Sequence, residues 1–291
     1  LTSKINKNTS INNYLNNNGR VDIDGSLKKS SRYKFSKIDN FSQYQPELSF
    51  LKDNIIFFDN KGSILRFNNE SKIIWKKNYY SKSEKKLKPI LQFVNNKKYL
   101  IVTDNIAKYY LIDVNNGNLI WSKNSLAPFN SQIKIYKDKF FIVDYKNILR
   151  CFNIEDGSEC WSVKTEESFT VSESKYSIVI KDGVLIFNNS IGDITAVEIL
   201  SGLIKWQLPT QKSSIIDEAY NFNFSKLVSD GNSIYFSNNK NEFYSVDINS
   251  GTINWITQIN SVLLPVLIGD YIFTVSDSGH FFTIQKKGKY N

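Results

Sequence analysis

The 291-residue sequence contains no methionine, one histidine (His280), two cysteines (Cys151 and Cys160) and five prolines. A single imidazole excludes histidine metal clusters and every catalytic triad that needs more than His280. That histidine follows Gly279 at the tip of a predicted hairpin, the place of an ordinary exposed residue. No glycine-rich phosphate loop is present. No apolar run approaches the roughly 20 residues that cross a bilayer as a helix. The N-terminus lacks the positive, apolar and small-residue order of a secretory signal. Because the chain opens on Leu1, it is expected to be a piece of a longer product, with any targeting segment upstream.

What is present suffices for a core: 41% hydrophobic, 14% aromatic and 22% charged residues. The net charge of +9 is unevenly spread. Residues 1–90 hold 18 Lys+Arg against 8 Asp+Glu, and the remainder holds 19 against 20. A basic segment attracts phosphates, whether of nucleic acid or of anionic headgroups. Here the lysines are interleaved with Asp, Ser and Asn, with no compact arginine block, which favours a solvated segment and no nucleic-acid partner. Residues 82–88, with four lysines, carry part of the excess.

Internal periodicity is the main signal. The five tryptophans, Trp75, Trp121, Trp161, Trp206 and Trp255, are spaced by 46, 40, 45 and 49 residues. Four of them close the phrase Gly-x-x-x-Trp, beginning at Gly117, Gly157, Gly202 and Gly251; the first copy has Ser71 instead. Four residues before each glycine stand Asp113, Asn153, Glu198 and Asp247, each after an apolar stretch. This is the pattern of a hairpin: a β-branched and aromatic strand, a polar turn whose Asp or Asn accepts backbone N–H groups, a glycine able to take positive φ, and a second strand ending in Trp. A second hairpin precedes each, as in residues 54–67, and one further strand, such as residues 128–136, makes four per period. The predicted fold class is all-β, a β-propeller of four-stranded antiparallel blades with one Gly-x-x-x-Trp per blade. Each Trp is expected to pack against the neighbouring blade. The expected blades are residues 41–78, 79–123, 124–163, 164–208, 209–257 and a partial 258–291, preceded by a basic segment, 1–40, that holds a possible partial blade.

The cysteines fall in one hairpin. If Asn153 pairs with Ser158, Cys151 faces Cys160 across the ladder, near enough for a disulfide in an oxidising compartment. Two small unbonded residues are the other reading, since the positions matching Cys151 hold Leu111, Ala196 and Ser245.

The phrase apolar-x-Asp-x-x-x-Gly-x-x-x-Trp resembles the repeat of pyrroloquinoline-quinone-type β-propellers over roughly residues 50–284. That superfamily includes quinoprotein alcohol dehydrogenases and the non-enzymatic outer-membrane assembly lipoproteins of the BamB type. Resemblance to either implies an eight-bladed ring, incomplete here. The dehydrogenases carry an adjacent cysteine pair against the quinone and oxygen ligands for a calcium ion, and Cys151 and Cys160 are not adjacent. Resemblance to the BamB branch therefore implies a protein without catalytic, cofactor or metal residues. Its partners would be the outer-membrane β-barrel assembly machinery and unfolded barrel substrates, at the periplasmic face of the outer membrane. Membrane contact would come only through a lipid anchor upstream of Leu1. The loops expected to meet partners are residues 76–89, 122–129 and 209–224. The alternatives are a quinone-dependent oxidoreductase or another envelope-binding propeller.

Overall fold

In the computed structural model the described residues are 17–19, 32–34, 48–51, 54–166, 175–210 and 223–288. Most of the basic segment 1–40, with its possible partial blade, and most of loop 209–224 lie outside them. The described chain forms six antiparallel sheets in sequence order, each with its strands paired consecutively.

Blade one holds β1 (Ser49–Leu51), β2 (Asn54–Phe58), β3 (Ile64–Phe67) and β4 (Ile73–Lys77). Blade two holds β5 (Leu91–Asn95), β6 (Tyr99–Asp104), β7 (Lys108–Asp113) and β8 (Leu119–Asn124). Blade three is β9 (Lys134–Tyr136), β10 (Lys139–Val143), β11 (Ile148–Asn153) and β12 (Glu159–Lys164). Blade four is β13 (Ile178–Lys181), β14 (Val184–Asn188), β15 (Ile194–Glu198) and β16 (Ile204–Leu208). Blade five is β17 (Val228–Ser229), β18 (Ser233–Asn238), β19 (Glu242–Asp247) and β20 (Ile253–Thr257). Blade six has three strands, β21 (Val266–Ile268), β22 (Tyr271–Val275) and β23 (Phe281–Gln285). The one α-helix among the described residues, α1 (Lys82–Lys86), lies in the connector between blades one and two.

The two middle strands of blades one to five are largely apolar on both faces, as strands covered on both sides must be. In β14 all five residues are buried, and in β7 four of six are. The core is consequently a series of layers between blades. One layer joins Phe58 and Ile56 of blade one to Leu100, Val102 and Tyr110 of blade two. The next joins Ile101 and Leu111 to Phe140 and Phe152, and the series continues to blades five and six through Tyr235, Phe243, Ile272 and Ile284.

Two expectations change. The segment before β9 forms a ladder only over three residues, because Ser131 pairs in parallel with Tyr176 of the next blade and Gln132 donates to the Tyr176 carbonyl at 3.1 Å. Cys151 does not pair with Cys160. Asn153 does bond to Ser158, at 2.9 Å, but a β-bulge between Cys151 and Phe152 moves the register by one. Trp161 therefore stands opposite Cys151, and Cys160 is the extra residue of the bulge. Both thiols are free, Cys151 buried and Cys160 exposed with its sulfur 3.3 Å from Asn153 Oδ1. The same bulge recurs at Arg66/Phe67, Leu111/Ile112, Ala196/Val197 and Ser245/Val246, so it is a property of the repeat.

Candidate functional site

Consecutive antiparallel pairing puts the loops on two opposite faces. One carries the turns between first and second and between third and fourth strands, tied together by bonds such as Val114 N–H to the Lys98 carbonyl and Ile154 N–H to that of Asp138. The other carries the turns between second and third strands and the connectors from blade to blade. These too are tied, as in Ser125 N–H to Ala107 at 2.7 Å and Tyr145 N–H to Pro128 at 3.0 Å.

The repeat residues converge on the first of these faces. Gly117 has φ +70, which spares the turn the steric penalty of a side chain. It is also the floor for a tryptophan of the preceding blade. A Cβ on Gly117 would lie 2.9 Å from the Trp75 ring; on Gly157, 2.8 Å from Trp121; on Gly202, 2.8 Å from Trp161; and on Gly251, 2.6 Å from Trp206. Gly288 gives Trp255 the same floor at 2.9 Å, so blade six supplies the turn although it has no Trp of its own. The indole N–H groups then bond across the blades. Trp75 donates to the Val114 carbonyl at 3.1 Å, Trp121 to Ile154 at 2.9 Å, Trp206 to Ile248 at 3.1 Å and Trp255 to Lys286 at 2.8 Å. Trp161 Nε1 is buried without an acceptor among the described residues. Asp113 and Asp247 sit at the turn and accept N–H groups within it: Asn115 at 2.7 Å for the first, Asn249 and Ser250 for the second. These bonds hold the Asp247 carboxyl below the usual range. The repeat residues thus form joints between blades.

A second series, which the sequence reading passed over, holds the opposite face. Asp59, Asp104, Asp144, Asn189, Asn238 and Ser276 are buried and follow one another by 45, 40, 45, 49 and 38 residues, nearly the tryptophan steps. Each accepts backbone N–H groups in its turn. Asp59 takes those of Lys61 and Ser63, Asp104 those of Ile106 and Lys108, and Asp144 those of Lys146 and Ile148. Burial pushes the Asp104 carboxyl up, against the Tyr80 hydroxyl that donates to it at 2.5 Å. Asp144 instead meets the half-buried Arg150, whose guanidinium also holds Glu159 at 2.7 Å.

Three surfaces remain for contact. The outermost strands β4, β8, β16 and β20 leave one edge without a strand partner among the described residues and display Ile73, Ile74, Leu119, Ile120, Leu203, Ile204 and Ile253 near it, each at least 39% exposed. The connectors form the second surface. The expected loop 76–89 contains α1, signalled by a capping box in which Ser81 and Glu84 bond reciprocally. Loop 122–129 projects Leu126, 90% exposed. The third surface is the inner rim, where Asn17 and Asn18 carbonyls accept N–H groups of Ser229 and Leu267 on β17 and β21. Among the described residues no three His, Cys, Asp or Glu side chains group as metal ligands would.

The family described as outer membrane protein assembly factor BamB matches residues 60–289. Among solved structures, BamB from Moraxella catarrhalis superposes with a TM-score of 0.70 at 14% identity, covering 85% of this chain and 74% of that one. The computationally designed Ika8 protein superposes with a TM-score of 0.64 at 10% identity, covering 82% of this chain and 70% of the other. No curated protein sequence matches the chain. With its tryptophan joints, its six consecutive blades and a match over most of its length, the chain belongs to the BamB family of outer membrane protein assembly factors.

Proposed function

We propose that the protein is a non-catalytic scaffold of the cell envelope, which assists assembly of outer-membrane β-barrels by binding the assembly machinery and its unfolded substrates at the periplasmic face. The observation that carries this reading is the BamB family match across residues 60–289. The surface chemistry supports it. Free strand edges bearing exposed Ile and Leu suit strand addition by extended chains, whose backbone can pair with an edge while the apolar side chains meet its own. Connectors 76–89 and 122–129, carried on a rigid sheet framework, suit a folded partner. The repeat residues that carry the signal stand in joints and turns, which suits a framework role.

The test has two arms. Photo-crosslinkers placed at Leu119 and Ile204 on the strand edges, and at Leu126 on a connector, are expected to capture the central barrel protein of the assembly machinery or an unfolded barrel substrate in envelope extracts. Separately, the purified protein is incubated with pyrroloquinoline quinone, calcium and an electron-accepting dye. Absence of crosslinks to both classes, or saturable quinone binding with dye-coupled turnover, would overturn the scaffold reading.

A further inference from the structure

We infer that the inner rim of blades four to six is a docking groove for an extended polypeptide carrying Asn-x-Gly, and that Asn17, Asn18 and Gly19 of this chain occupy it as an internal competitor. These three residues touch three successive blades. Asn17 Nδ2 donates to the Ile180 carbonyl of β13 at 3.0 Å. The Asn17 carbonyl accepts the Ser229 N–H of β17 at 2.7 Å, and the Asn18 carbonyl accepts the Leu267 N–H of β21 at 3.0 Å. Each of β13, β17 and β21 is the first strand of its sheet, with a neighbouring strand of that sheet on one side only. Edges of this kind offer main-chain groups to an incoming chain. Here the occupant crosses three sheets instead of lengthening one.

Gly19 adds a steric condition. Its φ is +78, and a Cβ on it would lie 2.1 Å from the Pro265 carbonyl oxygen and 3.0 Å from Val228 Cγ1. The groove therefore reads one carboxamide, two successive main-chain carbonyls and then a residue without a side chain.

Two observations make the segment an occupant of the groove and not a part of the framework. Its residues are half-buried and bring no apolar side chain to the core layers, so the hydrophobic term that holds the blades does not hold them. The rim is also joined without them. The Leu227 N–H donates to Ser177 Oγ at 2.7 Å between blades four and five, and Ser237 Oγ of blade five donates at 3.0 Å to the carbonyl of Ile259 on the way to blade six. Beside the segment the groove continues as an open cavity of about 330 Å³, walled by Lys181, Asp230, Gly231, Gly269 and Lys286, which leaves room for further residues of a bound chain. Lys181 and Lys286 stand 3.3 and 3.2 Å from Asp182 and Asp230, so these pairs favour selection by hydrogen bonding and shape over selection by charge.

The experiment adds a fluorescein-labelled peptide of residues 12–23 to the full chain and follows its anisotropy. Gly19→Ala in the full chain puts the colliding Cβ into the internal segment. It should raise the apparent affinity for the peptide by about tenfold or more over the parent protein, because the open fraction of the groove rises. Gly19→Val should do the same. The peptide carrying its own Gly19→Ala should not bind, and the one carrying Asn17→Ala should bind several-fold more weakly. A diazirine-bearing residue in place of Asn18 of the peptide should crosslink to residues 229–231 or 265–269. Equal binding of the peptide to the parent and both variants, no binding to any of them, or crosslinks elsewhere overturns the inference. So does loss of fold in both Gly19 variants by circular dichroism, which would make the segment part of the framework. None of these outcomes involves the assembly machinery, so this inference and the scaffold reading fail separately.

Discussion

A Cβ on Gly202 would stand 2.8 Å from the Trp161 ring at a φ of +75, two penalties at one atom. Left-handed backbone costs a residue with a side chain about 1–2 kcal/mol, and forcing extra volume into a packed joint about 1–3 kcal/mol. Gly202→Ala should therefore lower stability by about 2–5 kcal/mol, read as a shift of the denaturant midpoint. Gly183, with φ +80 and nothing within 4 Å of such a Cβ, should pay the backbone part alone. Ser71 sits at φ 64 in blade one, where the later copies have glycine. The tryptophans divide in the same way. Trp121→Phe removes an indole donor bonded at 2.9 Å and leaves the Ile154 carbonyl without it, whereas Trp161→Phe removes a buried donor that has no acceptor among the described residues. At comparable loss of ring area, Trp121→Phe should be the more destabilising by about 1 kcal/mol. The thiols also separate. Burial, with Cys160 beside it, pushes the Cys151 thiol well up, so it is protonated and shielded. Alkylation of the native protein should modify Cys160 alone, and Cys151 only after denaturation, as peptide mass mapping would show.

At the scale of the element, the turns were legible as turns but not as a buried polar series. The tryptophan repeat stands out because Trp is rare and its glycine invariant across four copies. The Asp59 series varies among Asp, Asn and Ser, three residues that supply the same acceptor oxygen and so conceal one physical role behind three names. The bulge was illegible for a related reason. Spacing counts residues along a strand, and an extra residue that leaves the ladder alters the pairing without altering the count, which is why Cys151 and Cys160 looked opposed. Helix α1 was marked in advance only by Ser81 and Glu84, easily lost among lysines. The β2–β3 turn also titrates. Burial works to raise the Asp59 carboxyl, but Lys76 and the N–H groups of Ser63 and Lys61 outweigh it and bring it below the usual range. A depressed carboxyl stabilises the fold above its unfolded value, about pH 4, and that stabilisation is lost as pH falls through the folded value. Asp59→Asn keeps an oxygen for the turn but gives up the charge opposite Lys76. Its thermal midpoint should therefore fall less steeply on acidification below about pH 4 than that of the parent protein.

Taken whole, the molecule is a row of sheets whose stability resides between neighbours, as in other repeat architectures. Blade six has three strands, and its aromatics Tyr271 and Phe281 are 43% and 66% exposed, whereas the middle strands of blade four are buried almost throughout. Hydrogen exchange should accordingly open β22 and β23 well before β14 and β15, and equal protection would contradict a stability carried by the layers. The joints also run one way. Each tryptophan belongs to one blade, while its glycine floor belongs to the blade that follows in sequence, as does the carbonyl that receives the indole of Trp75, Trp121, Trp206 and Trp255. On a ribosome, a newly emerged blade therefore holds its ring bare until some forty further residues have been made. Growth would proceed with one unsatisfied aromatic always at the leading edge, a directionality written into the order of synthesis itself.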